Sequence, residues 1–378
     1  MHDTSRAAET RPRATAVKIL VWQWYRRGGP PRFAALLTEA LRKLPDMMVI
    51  LSLSNDPNAA QAALPISADL PVTTYHNLTS LIRSLLKSRS TIDYLLERVR
   101  AFQPDLAICA QPHMLDMMMA FVLQRLGVPF VVLVHDADTH PGDGLPLQMW
   151  LQRKLCARAV AVGALSEHVG KRLLEQRVVG EARPLLKLHH PPVVYAMPNQ
   201  SSADNNQLRL LVFGRLLPYK GLDLLVEALI AIGPSDHMVV RVVGSGPETP
   251  ILDRLRAMDG VTVENRWVAD EEIGSVLAWS NALVLPYREA SQSGVAAAAL
   301  AAGRHVLATR VGGLAEQLAG DSRAILCEPT AASLSDGLRL LMERIKDQPL
   351  TPKDAAGEWQ AMAAALLRGL PLTRNYRA

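Results

Sequence analysis

Two permanent cations lie close together in one loop of the C-terminal half. Arg215 and Lys220 stand in the segment FGRLLPYKGLDLLVEAL. An apolar run ends before them at Gly214, and a helical pattern begins after them near Leu222. A guanidinium and an ammonium group at a strand end, beside the free amides of a helix, suit a diphosphate because they neutralise its charge. The loop therefore predicts a diphosphate site, and a solvated loop with two surface charges is the alternative.

Two more loops of the same half follow apolar runs. VVGSGPE contains Gly246 but lacks the third glycine of a dinucleotide fingerprint, so it predicts only close approach of the backbone to a ligand or a neighbouring loop. In LPYREASQSGVAAAALAAG, a small polar loop over residues 291–294 leads into an alanine-rich helix near Val295. The amides at that helix start can cradle phosphate oxygens, and close packing of the helix on a sheet is the alternative.

The N-terminal half offers a histidine and an aspartate at a predicted strand end. His135 and Asp136 follow the apolar run PFVVLV. A metal site is a second interpretation of this loop, but the irregular spacing of its mixed donors disfavours it, and no metal is predicted. The residues of that alternative are His135, Asp136, Asp138, His140 and Asp143. Earlier in the chain, Gly28 and Gly29 follow an apolar run and predict a tight turn before a helix.

The elements that must position these residues are short apolar runs separated by amphipathic segments. This alternation is typical of parallel strands buried on both faces. The predicted strands are 17–22, 48–53, 72–75, 106–110, 130–135, 159–165, 208–213, 238–243, 261–263, 282–286, 305–309 and 324–327. The pattern predicts an α/β protein with two doubly wound, Rossmann-like parallel-sheet domains facing a central cleft, where ligands bind at the carboxyl ends of the strands.

A segment rich in Pro, Asn and Ser divides the chain. We expect a disordered leader over 1–16, an N-terminal domain over 17–195 and a linker over 196–206. The C-terminal domain is predicted over 207–350. The last segment, 351–378, is predicted as a helix that can return to the N-terminal domain.

Composition excludes several classes of protein. With 378 residues, 49% of them hydrophobic and 20% charged, the chain is neither fibrous nor mainly disordered. No apolar stretch reaches the ~20 residues that span a bilayer, and the N-terminus lacks the apolar core of a signal peptide. Cys109, Cys156 and Cys327 have no metal-type spacing. These features predict a cytoplasmic protein.

Positive charge is concentrated in the first half. Through Tyr195 there are 23 Lys and Arg against 16 Asp and Glu. Within this half, Thr79 to Phe102 has the pattern of one basic amphipathic helix. Such a helix can lie on an anionic membrane surface, and a crossover helix packed on the sheet is the alternative. No nucleic-acid partner is predicted.

Four motifs in a fixed order give a more specific signal. GRLLPYKG, GSGPE, PYREASQSGV and AAGRHVLATRVGGL together resemble the donor-binding domain of GT-B glycosyltransferases, in particular family 4 (group 1). The resemblance covers about Leu208 to Lys346. It implies a nucleotide-diphosphate sugar bound by the C-terminal domain and an acceptor held by the N-terminal domain. It also implies metal-independent transfer with retained anomeric configuration and no cofactor.

The resemblance implies roles for individual residues. His135 matches a histidine near the reacting sugar, and Arg215 and Lys220 match the cations on the diphosphate; these three are the predicted catalytic residues. The predicted donor-binding residues are Gly214, Arg215, Lys220, Gly246, Arg266, Trp267, Glu289, Ser291, Gln292, Ser293, Gly294 and Val295. The predicted acceptor or cleft-loop residues are Gly28, Gly29 and Asp136.

The chain departs from the family pattern at two positions. The family carries two glutamates around the donor loop, the first near the sugar and the second on the ribose, and Ala290 and Ala298 occupy those positions here. Glu289 stands one place earlier and can substitute for the first, whereas nothing nearby substitutes for the second. The alternative is that Glu289 caps a turn.

The resulting prediction is a retaining glycosyltransferase. It moves a hexose from a nucleotide-diphosphate sugar to a saccharide acceptor, expected to be lipid-linked, in exopolysaccharide or lipopolysaccharide synthesis. We expect it in the cytoplasm, peripheral on the inner face of the plasma membrane. One alternative is a nucleotide-sugar epimerase of the same architecture, for which Glu289 and His135 are the only acid and base candidates. The other is a catalytically degenerate glycosyltransferase-like protein that only binds partners.

Overall fold

The computed structural model describes residues 16–55, 64–142, 146–198, 207–233, 237–345 and 352–370. The predicted leader up to residue 15, the predicted linker from residue 199, Asp143 and the last eight residues lie outside these ranges.

The N-terminal half forms a seven-stranded parallel sheet. Its strands are β1 (Val17–Gln23), β2 (Met47–Ser54), β3 (Leu70–Val72), β4 (Leu106–Cys109), β5 (Phe130–Val134), β6 (Ala161–Ala164) and β7 (Leu185–Lys187). The helices of this half are α1 (Gly29–Arg42), α2 (Leu78–Leu86), α3 (Ser88–Phe102), α4 (Asp116–Arg125), α5 (Pro146–Cys156) and α6 (Glu167–Glu175). The strand order is β3-β2-β1-β4-β5-β6-β7.

The C-terminal half forms a six-stranded parallel sheet. Its strands are β8 (Leu208–Phe213), β9 (Met238–Gly244), β10 (Val261–Asn265), β11 (Ala282–Leu285), β12 (His305–Thr309) and β13 (Ala324–Cys327). A short 3-10 helix covers Pro218–Lys220. The α-helices are α7 (Leu222–Ile232), α8 (Pro250–Arg256), α9 (Asp270–Trp279), α10 (Gly294–Ala301), α11 (Gly312–Leu318), α12 (Ala331–Arg344) and α13 (Ala355–Arg368). The strand order is β10-β9-β8-β11-β12-β13.

Each sheet is covered on both faces, which explains why its strands are apolar along their whole length. Two clusters of buried side chains flank the N-terminal sheet, and two more flank the C-terminal one. The strand order reverses between β1 and β4 in the first sheet and between β8 and β11 in the second. In doubly wound sheets the ligand crevice opens at this reversal. The loops after β1, β4, β8 and β11 are therefore placed to form a site.

The structure confirms two doubly wound parallel sheets and corrects three details of the prediction. The single helix predicted over 79–102 is wrong, because the chain forms α2 and α3 with a turn at Lys87 between them. The carbonyl of that lysine accepts a hydrogen bond from the Ser90 hydroxyl at 2.9 Å. The third strand ends at Val72 and not at Tyr75, and β7 is an additional strand. The domain limits stay a prediction.

The last described helix lies on the N-terminal sheet. Trp359, Met362 and Leu366 of α13 are buried in the same cluster as Phe33 of α1, and the two rings Phe33 and Trp359 are 5.0 Å apart. The Trp359 indole donates a hydrogen bond to the carbonyl of Pro192 at 2.8 Å. The chain thus contributes a C-terminal helix to the N-terminal core. Within the described ranges, no helix is long and apolar enough to cross a membrane.

Removing the Met362 side chain should destabilise the N-terminal sheet. The residue is fully buried, so Met362→Ala should lower the free energy of unfolding by about 2–5 kcal/mol. Gln360→Ala, at an exposed position of the same helix, is the control and should change it by less than about 0.5 kcal/mol. Urea unfolding followed by tryptophan fluorescence measures both. Equal midpoints for the two variants would contradict the packing of α13 on this core.

Candidate functional site

The two predicted cations surround one tyrosine ring at the carboxyl edge of the C-terminal sheet. Arg215 donates a hydrogen bond from Nη2 to the Tyr219 hydroxyl at 3.0 Å. The Lys220 Nζ lies 4.8 Å from the centroid of the Tyr219 ring and 3.8 Å from that of Tyr287. Both distances allow cation–π attraction. Burial between the rings, together with the charge of Arg215, lowers the pKa of Lys220 to about 8. An anion would restore the charged form, since a negative partner favours it.

Glycines bring the loop of the cations close to its neighbours. A Cβ atom at Gly246 would lie 2.3 Å from the carbonyl oxygen of Leu216, and one at Gly221 would lie 1.8 Å from that of Pro286. Gly221 also has a φ of 66°, which favours glycine. Gly246 was predicted to bind the donor. Donor binding by Gly246 stays a prediction; in the structure, the loop after β9 approaches the Arg215 loop so closely that a side chain at Gly246 would clash with it.

Helix α10 begins beside these cations. The Ser293 hydroxyl accepts a hydrogen bond from the Ala296 amide at 3.2 Å, and the Ser293 amide donates to Gln317 Oε1 at 2.8 Å. The Ser293 amide is therefore held by the protein. The Gly294 and Val295 amides are the first of the helix and have no intrahelical carbonyl to bind. Apart from its chain neighbours and the backbone of the helix, no described heavy atom lies within 4 Å of a Cβ atom placed at Gly294, and Gly294 is exposed, so this helix end is open.

Two contacts join the cation loop to that helix end. A Cβ atom at Gly214 would lie 3.5 Å from Val295 Cγ2. The Tyr287 hydroxyl, whose ring contacts Lys220, is 3.5 Å from the Ser293 hydroxyl. The structure thus brings the predicted residues Gly214, Lys220, Ser293 and Val295 into one cluster. The amides at the open helix end can donate hydrogen bonds to phosphate oxygens, and the cations can neutralise the phosphate charge.

His135 lies at the end of β5 in the opposite half. Its Nε2 donates to the carbonyl of Ala110, after β4, at 2.9 Å, and the ring packs edge-on against Phe33 at 4.7 Å. Burial lowers the pKa of His135, although the charge of Asp136 opposes this. The ring is therefore neutral. With its proton on Nε2, the Nδ1 atom is an acceptor for a hydroxyl group.

His140 joins the two halves, and the sequence pattern had placed it only in the disfavoured metal alternative. Its Nε2 lies 3.2 Å from Oδ1 of Asp136 and its Nδ1 lies 3.4 Å from Oε1 of Glu289, which belongs to the C-terminal half. The ring stacks on Tyr219 at 4.9 Å, with an interplanar angle of 19°. Burial opposes protonation, but the two carboxylates together raise the pKa of His140. No signal in the sequence links positions so far apart in the chain.

The carboxylates of the His140 loop have separate partners. Asp136 is held through its carbonyl, which accepts a hydrogen bond from Gln152 Nε2 at 2.7 Å. Burial opposes ionisation of Asp136, but hydrogen bonding and charge from His140 keep its pKa below the ordinary value. Asp138 pairs with Arg172 at 2.8 Å. Among the residues that the structure describes, no group of three His, Cys, Asp or Glu side chains could hold a metal ion.

Glu289 and the two alanines of the donor loop differ in exposure. Ala290 and Ala298 are buried, and the Ala290 carbonyl accepts a hydrogen bond from the Gly313 amide at 3.0 Å. The Glu289 side chain is 46% exposed and reaches His140. Instead of the turn-cap alternative, the structure shows Glu289 in contact with His140 across the cleft, and this contact is an ion pair when the imidazole is protonated. Because residue 298 is an alanine, this position offers no carboxylate to a ligand.

Ser291 and Gln292 lie between the halves. The Ser291 carbonyl accepts a hydrogen bond from the hydroxyl of Ser166, at the start of α6, at 2.9 Å. The Ser291 hydroxyl is 3.5 Å from His140 Nε2. The Gln292 Oε1 atom is buried. The carboxylate of Glu316 on α11 accepts hydrogen bonds from two backbone amides of α6, at 2.7 and 2.8 Å. These contacts hold the two sheets face to face.

The remaining predicted residues lie where the loops after β1 and β10 meet. Gly28 has a φ of 81° and precedes α1, and a Cβ atom there would lie 3.9 Å from Trp267 Cη2. Around the Cβ position of Gly29, no described heavy atom lies within 4 Å. Trp267 is 43% exposed, and the Arg27 guanidinium lies 5.9 Å from its ring. Arg266 instead forms ion pairs with Glu264 and Glu272 on the surface.

Two family models match the chain, one in each half. Residues 28–186 match the family model described as glycosyl transferase 4-like domain, and residues 207–344 match the one described as glycosyl transferases group 1. No curated protein sequence matches the chain.

Solved structures with the same fold include transferases and epimerases. Sucrose-phosphate synthase from Thermosynechococcus elongatus superposes with a TM-score of 0.65 at 18% identity, over 93% of this chain and 97% of that one. Anabaena HepE in complex with UDP and glucose has a TM-score of 0.65 at 17% identity, over 92% and 95%. UDP-GlcNAc 2-epimerase from Neisseria meningitidis, bound to UDP-GlcNAc, has a TM-score of 0.60 at 12% identity, over 93% and 100%. At these identities the likeness shows the fold alone.

The first model covers β2 to β6 and the first two residues of β7, and the second covers all six strands of the C-terminal sheet. The chain belongs to the group 1, family-4-like glycosyltransferases of GT-B fold, which transfer a sugar from a nucleotide-sugar donor.

Proposed function

We propose that the protein transfers a hexose from a nucleotide-diphosphate sugar to a saccharide acceptor, without a metal ion and with retained configuration. The N-terminal domain, 17–195, holds the acceptor, and the C-terminal domain, 207–350, holds the donor. One observation carries the proposal: Arg215 and Lys220 converge on Tyr219 beside the open end of α10, and His140 of the opposite half stacks on the same ring.

The donor diphosphate is proposed to bind between the cations and α10. Arg215 and Lys220 supply positive charge, and the amides of Gly294 and Val295 supply hydrogen-bond donors. These groups take the place of a divalent ion, because they neutralise the charge that builds up on the diphosphate as the bond to the sugar breaks. Trp267, exposed at the end of the β10 loop, offers a surface beside the base.

Transfer is proposed to proceed by displacement on one face of the sugar. The bond between the anomeric carbon and the diphosphate oxygen breaks, and its electron pair leaves with the nucleotide. The acceptor hydroxyl attacks from the same face, and its proton passes to the departing phosphate. His135 accepts a hydrogen bond from a sugar hydroxyl at Nδ1, since its Nε2 is held by Ala110. Glu289, fixed by His140, faces the sugar from the donor loop.

The acceptor is proposed to be a lipid-linked saccharide of exopolysaccharide or lipopolysaccharide synthesis. Two features support this choice. The N-terminal half carries an excess of basic residues, 23 against 16 acidic ones through Tyr195, which suits an anionic surface. A saccharide held on a lipid would meet the protein on the inner face of the plasma membrane, where nucleotide sugars are present. The protein is accordingly proposed to act as a peripheral cytoplasmic enzyme.

An epimerase of this architecture is the second candidate, and the resemblance to the Neisseria enzyme favours it only at the level of fold. Epimerisation requires an acid and a base beside the sugar. His135 donates its one proton to a backbone carbonyl, and Glu289 is paired with His140.

A degenerate binding protein would have no reason to keep Arg215 and Lys220 on Tyr219. Both arguments favour the transferase.

A screen of purified protein against UDP, GDP and ADP sugars tests the proposal. Release of free nucleotide from one donor, with the anomer of the product preserved, supports retaining transfer and identifies the base. Excess chelator should leave the rate unchanged, because the cations replace the metal. Loss of activity that a divalent ion restores, or interconversion of the donor into its epimer, would contradict the proposal.

Replacing Lys220 should weaken transfer and reveal its titration. Lys220→Ala should reduce kcat by about 100-fold or more, because a charge that stabilises the leaving group is lost. In the wild type, affinity for a nucleoside diphosphate should fall as the pH rises through about 8, where the Lys220 ammonium loses its proton. Lys220→Arg should abolish that decline, since a guanidinium stays charged. Steady-state kinetics with the active donor measures the loss of kcat, and calorimetric titration across pH measures the change in affinity.

The matched control for that titration is Lys171→Arg, at an exposed position of α6. It should keep the pH dependence of the wild type. A decline that persists unchanged in Lys220→Arg would show that another group titrates, and it would remove Lys220 from the diphosphate site.

Titration of His140 should cause a second decline of activity as the pH rises. The pKa of His140 is raised above the ordinary 6.5. The protonated bridge to Asp136 and Glu289 is therefore fully formed below pH 6.5, and it is lost as the pH rises through the raised pKa. We expect kcat/KM of the wild type to decline over that interval. His140→Gln keeps hydrogen bonding but cannot titrate, so its profile should be flat there. His168→Gln, on α6, is the control. A decline that remains in His140→Gln would contradict the bridge.

A further inference from the structure

Helix α2 turns its apolar side chains away from the protein. None of its residues is buried. Leu78, Ile82, Leu85 and Leu86 are 71%, 52%, 53% and 80% exposed, and their spacing places them on one face of the helix. Single exposed leucines are ordinary on a protein surface, but four on one helical face form a patch.

The opposite face of α2 is the one that contacts the protein, and it is more polar. Ser80, Leu81 and Ser84 are half-buried, and Leu81 packs against the core between the N-terminal sheet and α4. A helix that packed on its own sheet would reverse this arrangement, with leucines inward and serines outward. Helix α3 follows that ordinary rule, since Leu95 and Val99 are its buried residues. The crossover role therefore belongs to α3, and α2 presents an apolar face for something else.

The charges around this face have one sign. Arg83, Lys87 and Arg89 are exposed, and the sequence between Tyr75 and Asp93 contains no acidic residue. A protein partner or a second copy of the chain would require an apolar face with complementary acidic groups around it. An anionic lipid surface meets both conditions, because acyl chains accept the leucines and phosphate headgroups attract the basic side chains.

The position of α2 connects it to the cleft. Its capping residue Asn77 follows Tyr75, whose ring stacks on His113 at 5.2 Å. His113 in turn packs edge-on against Tyr25 at 5.0 Å, and Tyr25 belongs to the same loop as Gly28. Helix α2 thus borders the side of the N-terminal half that carries the proposed acceptor loop.

We propose that α2 is the membrane-docking surface of the enzyme and that its partner is an anionic lipid bilayer. Leu78, Ile82, Leu85 and Leu86 enter the boundary between headgroups and acyl chains, and Arg83, Lys87 and Arg89 contact the headgroup phosphates. Docking at this place brings the mouth of the cleft to the membrane, where a lipid-linked acceptor lies. The choice of acceptor rests on the proposed function, whereas docking itself does not require catalysis.

Cosedimentation of the full chain with lipid vesicles tests the proposal. The wild type should bind vesicles made of phosphatidylcholine and phosphatidylglycerol. Its binding to vesicles of phosphatidylcholine alone should be weaker by about tenfold or more. The double variant Ile82→Ser with Leu86→Ser should reduce binding to the anionic vesicles about tenfold or more. So should the triple variant Arg83→Gln, Lys87→Gln and Arg89→Gln, and added salt should release the wild type.

Two matched controls separate the surface from general charge or hydrophobicity. Leu174→Ser with Leu340→Ser removes exposed leucines from α6 and α12, and Arg125→Gln, Lys171→Gln and Lys187→Gln removes three exposed basic residues elsewhere. Both should bind anionic vesicles as the wild type does. Equal losses in the controls, or unchanged binding by the α2 variants, would overturn the proposal. Conversion of a dimer into a monomer by the α2 variants, without vesicle binding by the wild type, would assign the face to a second copy instead.

Release of nucleotide from a donor sugar in the absence of vesicles distinguishes this proposal from the proposed function. The α2 variants should keep the rate of the wild type, because none of the changed residues lies in the cleft. Vesicle binding without any donor turnover would overturn the proposed function and leave the docking surface standing. Turnover without vesicle binding would do the reverse.

Discussion

The arrangement of the site depends on what surrounds the ring of Tyr219. On this ring the Arg215 guanidinium is held by a hydrogen bond to the hydroxyl, the Lys220 ammonium is held by cation–π attraction, and His140 of the opposite half stacks. Tyr219 therefore contacts both cations of the C-terminal half and, through His140, the N-terminal half across the cleft. The charge of the exposed Arg215 and the burial of Lys220 between two rings both disfavour the Lys220 ammonium, so a ligand with negative charge would stabilise it.

Closure of the two sheets is held by contacts that are individually small and that surround the cleft. His140 bridges Asp136 and Glu289. The Ser166 hydroxyl donates a hydrogen bond to the Ser291 carbonyl. The Glu316 carboxylate accepts hydrogen bonds from the first two backbone amides of α6. Because these bonds are polar and near the surface, they can exchange with water when the cleft opens. A transferase needs such an interface, since the donor must enter and the nucleotide must leave. Glu289, one position before Ala290, places a carboxylate beside His140 in this loop, and its role near the sugar is a proposal.

How far the sequence could predict the structure differs between elements and side-chain contacts. Strands buried on both faces are uniformly apolar, so their carboxyl ends, and with them Arg215, Lys220 and His135, could be located from the pattern alone. The turn at Lys87 could not, because α2 and α3 share one continuous periodicity. The contact of His140 with Glu289 could not be predicted either, since it depends on how two separately folding sheets face each other. For Gly246 the sequence predicts close approach to a ligand or a neighbouring loop, and the structure identifies the Arg215 loop as a close neighbour.

If the Tyr219 ring couples the N-terminal half to Arg215 and Lys220, a double-mutant cycle on the ring and His140 will detect the coupling. His140→Gln, Tyr219→Leu and the double variant are compared by calorimetric titration with the nucleoside diphosphate of the active donor, with Tyr219→Phe as a measure of the hydroxyl alone. We expect a coupling energy of about 0.5–3 kcal/mol, so that the second substitution costs much less once the first is made. Strictly additive losses in affinity would contradict it and leave the two halves energetically independent at this site.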